Sequence, residues 1–571
     1  MNERSVPHHD RGVVLIIVLV VVVVLSLAAY TFSSLMQTHR HAVKLSGQQL
    51  QTRMLVDSGV EMVKQYLSTD AATREEMGGH FDNPAMFQGV TVIPGTELDS
   101  RGSFCVLAPY PEDGAGQTSG GIRYGLDDES TKLNLNVLLL ADQLGAGSAR
   151  TLLMGLPGMT EDVADAILDW LDEDDEPREY GAEADYYARL EPPYGPQNGS
   201  LTTVEELLLV RGVTPDLLFG LDQNRNGLVD AHESGSLGST PGAGAPTSSA
   251  SMAGGGDMFP QRGWSPYLTL YSAEQNMTAE GLPRINLNNQ DLQALSDELT
   301  EVFDDEWVNF ILAYRLYGPA DDNQGGGGQS TTSAADLDLD LSQSPKAQLS
   351  QVLDLIGKQV QIGQGEQEGG GPESEGASAP SNGGRGSGCQ SGGAQNQQAV
   401  VASPFAEDPL AMAIYLPELM DKCTVSESPM IPGRININLA SESILFGIPG
   451  MTEEIVTSLL ESRQFVEDVG LDLNREHETW LLSESLVTLD EMRTLLPFVT
   501  SGGDVFRAQI VGYYQGGGPS SRVEVVFDAT DVEPRILFWR DISHLGRGYA
   551  LQTLGIDTMM GPSTAQGLPS P

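Results

Sequence analysis

Asp222, Asn224, Asn226, Asp230 and Glu233 stand at positions 1, 3, 5, 9 and 12 of a twelve-residue stretch, with Gly227 at position 6 and the apolar Val229 at position 8. A hard divalent cation asks for this pattern. It takes six to eight oxygens, so three short side chains, the Leu228 carbonyl, Asp230 directly or through water, and a bidentate Glu233 complete a calcium shell, while the glycine allows the sharp turn. The bland alternative for the same residues is a solvated acidic turn. A helix enters through Pro215 to Gly220, but the exit side is Gly/Ser-rich. Without its second helix the loop cannot open a groove, so a structural ion is expected rather than a switch.

Constellations for catalysis are weak in the sequence: acidic pairs are abundant, but nothing selects one pair as a glycosidase dyad. The 8 His are scattered, with His8, His9, His39 and His41 beside an apolar segment, and no phosphate loop, dinucleotide fingerprint or nucleophile elbow occurs, so no enzyme is expected. The 3 Cys (Cys105, Cys389, Cys423) have no paired spacing, which excludes a disulfide-dense scaffold and a cysteine zinc site. With 31 Lys+Arg against 79 Asp+Glu in 571 residues, the formal net charge is -48. Such a field repels phosphate and attracts divalent cations.

The elements that position these residues begin with a rod. From Val13 to Met36 no residue is charged, and at 1.5 Å per residue that helix reaches about 36 Å, enough to cross a hydrocarbon core of about 30 Å. A polar leader, residues 1–12, stops at Arg11-Gly12 where the apolar run begins. The helix continues beyond the membrane, because Val56, Val60, Val63 and Leu67 share one face of a 3.6-residue period. Strands are expected at Gly102 to Pro109, Gly121 to Leu126, Val505 to Tyr514, Arg522 to Phe527 and Pro534 to Trp539, as an antiparallel sheet packed on that helix.

More than three hundred mostly helical residues separate the two half-sheets. Lys132-Leu-Asn-Leu-Asn136, Arg284-Ile-Asn-Leu-Asn288 and Arg434-Ile-Asn-Ile-Asn438 each introduce a helical stretch, and two of them lead to Gly155-Leu-Pro-Gly-Met-Thr160 and Gly447-Ile-Pro-Gly-Met-Thr452. A duplicated helical module is expected, with Thr160 and Thr452 as N-caps. The fold class is therefore α+β, a transmembrane helix on a small antiparallel sheet with a large α-helical insertion. The expected division is a leader at 1–12, the membrane helix at 13–36, the helix extension and first half of the head at 37–137, the insertion at 138–500, closing strands at 501–545 and a tail at 546–571. Gly/Ser blocks near 235–257, 318–332 and 364–398 read as flexible loops.

The leader, the rod and the head together resemble the type IV pilin and type II secretion pseudopilin family. That resemblance implies cleavage by a prepilin peptidase between Gly12 and Val13. Most pilins carry Glu at the fifth residue after the cut, where Ile17 stands here; a carboxylate in the bilayer costs about 2.5 to 3.5 kcal/mol unless a neighbouring subunit pairs it, so a subunit with nothing above it has no need of one. Ile17 and the run Asp169-Trp-Leu-Asp172-Glu-Asp174, Gly181-Ala-Glu183, Tyr186-Tyr187 and Pro192-Pro193-Tyr194 resemble the minor pseudopilin K family. The acidic run follows no generic metal spacing. The resemblance nominates Asp169, Asp172, Asp174 and Glu183 for a second calcium.

Membership in that family implies a single-pass protein of the inner membrane with its head in the periplasm, placed at the pseudopilus tip beside the I and J minor pseudopilins. There it starts filament assembly and aids export across the outer membrane, contacting secretin or secreted cargo. A rival resemblance comes from the Gly-x-Pro-Gly turns and Ile435-Asn-Ile-Asn-Leu-Ala440, which are similar to helix-hairpin-helix modules of membrane-anchored DNA-uptake receptors. In this chain the turns present Glu161, Asp162, Glu453 and Glu454, where phosphate contacts need Lys or Arg. No nucleic-acid partner is expected.

Overall fold

The structure, a computed structural model, describes residues 11–110, 121–230, 233, 262–320, 331–362, 399–469 and 475–556. Leader residues 1–10, the blocks 235–257 and 364–398 with Cys389, residues 321–330 of the third Gly-rich block and tail residues 557–571 lie outside them. The chain divides into two compact units, one formed by residues 1–128, 215–266 and 505–571, the other by 129–214 and 267–504.

In the first unit α1 runs from Arg11 to Leu67 as one helix. The 18-residue window that qualifies it as a candidate membrane span has mean hydropathy 3.0, so it is long and apolar enough to cross a bilayer. Its far half is amphipathic in the expected phase: Val56, Val60, Val63 and Leu67 are all buried in a core with Phe104, Val106, Ala508, Ile510, Val525 and Phe527. The sheet supplying that core contains β1 (Val90–Ile93), β2 (Gly102–Pro109), β3 (Val505–Tyr514), β4 (Ser520–Asp528) and β5 (Arg535–Asp541) in that spatial order, all antiparallel. Helix and sheet meet closely. A Cβ on Gly512 of β3 would come within 2.4 Å of the Thr52 carbonyl of α1, so only glycine fits that crossing. Alternation along β3 sends Phe506, Ala508 and Ile510 toward α1 and Val511 and Tyr513 to the opposite face, where they join Cys105, Leu107, Ile122, Tyr549 and Leu554 in a second core.

The second unit is helical and built on a threefold repeat. α2 (Leu138–Leu144), α3 (Ser148–Met154) and α4 (Glu161–Leu171) follow the first Asn-x-Asn segment; α5 (Leu292–Thr300), α6 (Asp305–Tyr317) and α7 (Pro409–Lys422) follow the second; α8 (Glu442–Gly447) and α9 (Glu453–Val469) follow the third. In each segment the first Asn side chain accepts the N–H of the second, at 3.1, 2.9 and 2.8 Å. The second Asn then fastens the chain farther on. Asn136 holds both backbone groups of Leu201, Asn288 holds both of Leu349, and Asn438 donates to the Arg475 and Ser501 carbonyls. Each first Asn also lies in a two-residue parallel pairing with a dipeptide ending in Thr: Leu268-Thr269, Cys423-Thr424 and Val499-Thr500.

The sequence reading divided the insertion at 138 and 500 and placed the loop 222–233 inside it. The structure instead draws the helical unit from 129–214 and 267–504 and groups 215–266 with the sheet. The reason is packing: the residues around the loop bury against the outer face of β3 and β4 rather than against helices.

Candidate metal centre

The loop 222–233 rests on the sheet face opposite α1. Gln509 of β3 donates Nε2 to the Arg225 carbonyl at 2.6 Å, Arg522 of β4 donates to the Asn224 carbonyl, and Asn226 donates Nδ2 to the Gly548 carbonyl at 2.8 Å. Leu228 packs against the second core. Gly227 turns the chain at φ 80, a left-handed conformation that side-chain-bearing residues rarely adopt, and a Cβ there would press on Pro109 at 3.1 Å.

The oxygen side chains turn inward. Asp222 accepts the N–H groups of Asn226 and Gly227 at 3.2 and 2.8 Å, and Glu233 accepts those of Gln223, Asn224 and Asp230 at 3.1, 3.0 and 2.9 Å. Asp230 accepts the side-chain amides of Asn224 and Asn226 at 2.7 and 3.2 Å. All five nominated side chains thus belong to one network. Asn224 Oδ1 is buried with no partner, a costly state that a bound cation would relieve. Burial pushes the Asp222 carboxyl up to about 6 against the Gly227 and Asn226 N–H groups, and the Glu233 charge adds to it. Three carboxylates in such a site want a positive charge, and within the loop Arg225 turns away to stack on Phe219 at 4.4 Å. The residues fit calcium, and Asp222, Asn224, Asn226, Asp230, Glu233 and the Leu228 carbonyl are those that could hold it.

At the second nominated cluster the structure brings three of the four residues together. Carboxylate oxygens of Asp169, Asp172 and Glu183 lie within 4.8 Å of one another. Asp174 is not of this group; its Oδ1 accepts the Glu176 N–H at 2.8 Å. The sequence reading did not single out Arg178, whose guanidinium binds Asp169 at 2.8 Å and also Asp172. Both oxygens of Glu183 are buried without a partner, and burial, with the Asp169 and Asp172 charges, pushes its carboxyl up to about 7. Gly181 makes room for the cluster, since a Cβ there would collide with the Asp169 carboxylate.

Glu161, Asp162, Glu453 and Glu454 are exposed in the first turns of α4 and α9. The first glycines of the two Gly-x-Pro-Gly turns face each other, since a Cβ on Gly155 would meet the Gly447 Cα at 2.7 Å, while the second glycines, Gly158 and Gly450, are exposed. Thr160 occupies its N-cap position but bonds Asp162, whereas Thr452 caps α9 through the Ile455 N–H at 3.3 Å. Gly12 and Val13, nominated by the sequence resemblance for leader cleavage, fall in the first turn of α1.

Residues 131–223 match the family described as Type II secretion system (T2SS), protein K. In this segment the chain is similar to the type II secretion protein K family. A Type II secretion system protein K from Pectobacterium carotovorum subsp. carotovorum is 36% identical over 99 residues, 17% of this chain and 28% of that relative, so the match spans little more than a quarter of the relative's length. Among solved structures, a chain of the GspK-GspI-GspJ complex from enterotoxigenic Escherichia coli matches with 10% identity and a TM-score of 0.29, covering 88% of this chain and 99% of that one. The protein K segment holds Asp169, Asp172 and Glu183 and ends at Gln223, inside the calcium-type loop.

Proposed function

We propose that the chain is a minor pseudopilin of type II secretion, a structural subunit at the tip of the pseudopilus that starts filament assembly and aids protein export. The observation carrying this is the protein K segment at 131–223 in a chain whose α1 runs unbroken from an apolar rod into the sheet core. On this reading a prepilin peptidase cuts between Gly12 and Val13, and the protein sits in the inner membrane with its folded part in the periplasm. I- and J-type minor pseudopilins are its neighbours, and secretin or cargo its further contacts. No catalytic step is assigned to it.

N-terminal sequencing of protein extracted from membranes tests the reading. Val13 as first residue is expected; a mature chain starting at Met1 would overturn it. Co-purification with tagged I- and J-type subunits is expected to depend on all three being present. The acidic first turns of α4 and α9 and the contact of the two glycine turns favour protein packing over the DNA-receptor alternative. Retention on duplex DNA at low salt, with a steep salt slope, would restore that alternative.

Calcium belongs to the same proposal. One ion is held by the loop 222–233, supplying charge neutralisation between carboxylates; a second is held by Asp169, Asp172 and Glu183. At a calcium concentration about a hundredfold above Kd, binding adds about 2.7 kcal/mol of stability, and chelation should lower the midpoint of thermal unfolding accordingly. Calorimetric titration is expected to count two ions, with Glu233→Gln deleting one and Glu183→Gln the other. An unchanged midpoint on chelation removes both assignments.

A further inference from the structure

The outer face of α7 is apolar, and Leu410 and Ile414 on it stay exposed among the described residues. Met412, Tyr415, Leu416, Leu419 and Met420 form the buried side of this helix. On the opposite side Leu410 and Ile414 are 80% and 81% exposed, and Ala413 and Pro417 complete a stripe at i, i+3, i+4 and i+7. Single exposed aliphatics are ordinary. A contiguous helical stripe of them marks a binding face.

The rim of the stripe is acidic. Glu407 and Asp408 stand exposed at its N-terminal end and Glu418 at its C-terminal end. The exposed Asp305, in the first turn of α6, belongs to the neighbouring helix, which packs on α7 through Trp307 against Tyr415 at 6.4 Å. The one base of α7, Lys422, is occupied by Asp421 and Glu280 at 3.1 and 3.6 Å.

That charge distribution decides among occupants. Two copies of this chain meeting about a twofold axis would set Glu407, Asp408 and Glu418 against their own equivalents, and an anionic lipid surface would be repelled in the same way. We propose that the α7 stripe docks a protein segment of opposite charge: an amphipathic helix whose apolar face is flanked by Lys and Arg. The apolar stripe supplies the contact area, and the rim selects the partner by sign.

The test uses the full chain in nanodiscs of zwitterionic lipid and a fluorescent synthetic helix of about 18 Leu and Lys residues, with a Leu/Glu helix as counterpart, read by anisotropy at about 0.15 M salt. The Leu/Lys helix should bind, and the Leu/Glu helix about tenfold more weakly or less. The double variant Leu410→Ser/Ile414→Ser keeps every charge and alters only exposed side chains, so its thermal midpoint should hold while binding falls by about tenfold. In Glu407→Gln/Glu418→Gln, binding should weaken and lose part of its salt dependence. Undiminished binding by the double serine variant would show mere attraction to an acidic protein and overturn the proposal. Equal binding of both helices, no binding by the wild-type chain, or self-association that the serine variant abolishes would overturn it too.

Discussion

Arg315 and Arg463 occupy the same place in two copies of the helical module, each the eleventh residue of a helix that begins with an acidic pair. Arg315 donates to the Leu287 carbonyl and Arg463 to the Ile437 carbonyl, in each case the peptide between the two asparagines. Replacing Arg463 by Met keeps the side chain's bulk but leaves the Ile437 and Ala440 carbonyls without their donor, at about 1–3 kcal/mol for each buried group. The expected result is a lower thermal midpoint with calcium binding retained. His80 gives a second residue-scale prediction. Burial, with Arg123 and Arg74 nearby, holds its imidazole down to about 4 from its ordinary 6.5. The unfolded chain therefore binds the extra proton first, and stability that is full above pH 6.5 is lost as pH falls through that window toward 4. His80→Gln should flatten this part of the midpoint-against-pH curve relative to wild type; parallel curves would discard the assignment. The residues of the loop 222–233 were legible in sequence because chain geometry fixes the spacing of ligands in a tight turn. Arg178 was not, since its approach to Asp169 depends on the irregular turn between them.

At the scale of elements, the long strands and the buried face of α1 could be read directly, because periods of two and 3.6 report which side meets a core. β2 and β3 have the bounds their patterns predicted, Gly102–Pro109 and Val505–Tyr514. The second helical module is not legible in the sequence as a full copy. Its turn carries Glu301-Val302-Phe303-Asp304 where the other two carry Pro-Gly-Met-Thr, and Asp304 does the capping by accepting the Trp307 N–H at 3.1 Å. An arginine at the tenth residue after the acidic start was the available signal. The contact between the two remaining turns yields a sharp test: a Cβ on Gly447 would lie 2.7 Å from the Leu152 carbonyl. Gly447→Ala is expected to cost about 1–3 kcal/mol, measured by denaturant unfolding, whereas the same change at Gly502, with nothing within 4 Å of its Cβ, should cost little.

For the whole molecule, a net charge of -48 means that the folded state repels itself. Raising salt from about 0.01 to about 0.15 M should raise the unfolding midpoint even in chelator, by screening alone, and calcium should add a further increment that salt does not reproduce. The division into two units could not be read from composition, because what ties Asn224, Arg225 and Leu228 to the sheet is contact with strands nearly three hundred residues later. The chain passes between the units at 128, 214, 266 and 504. During synthesis the ribosome therefore delivers α1 and β2 long before β3, β4 and β5 exist, and the complete helical unit emerges while the half-built sheet still waits for its centre. A chain truncated after residue 504 should hold a protease-resistant helical body and a protease-sensitive amino-terminal arm, the arm needing a chaperone's cover until the last strands arrive.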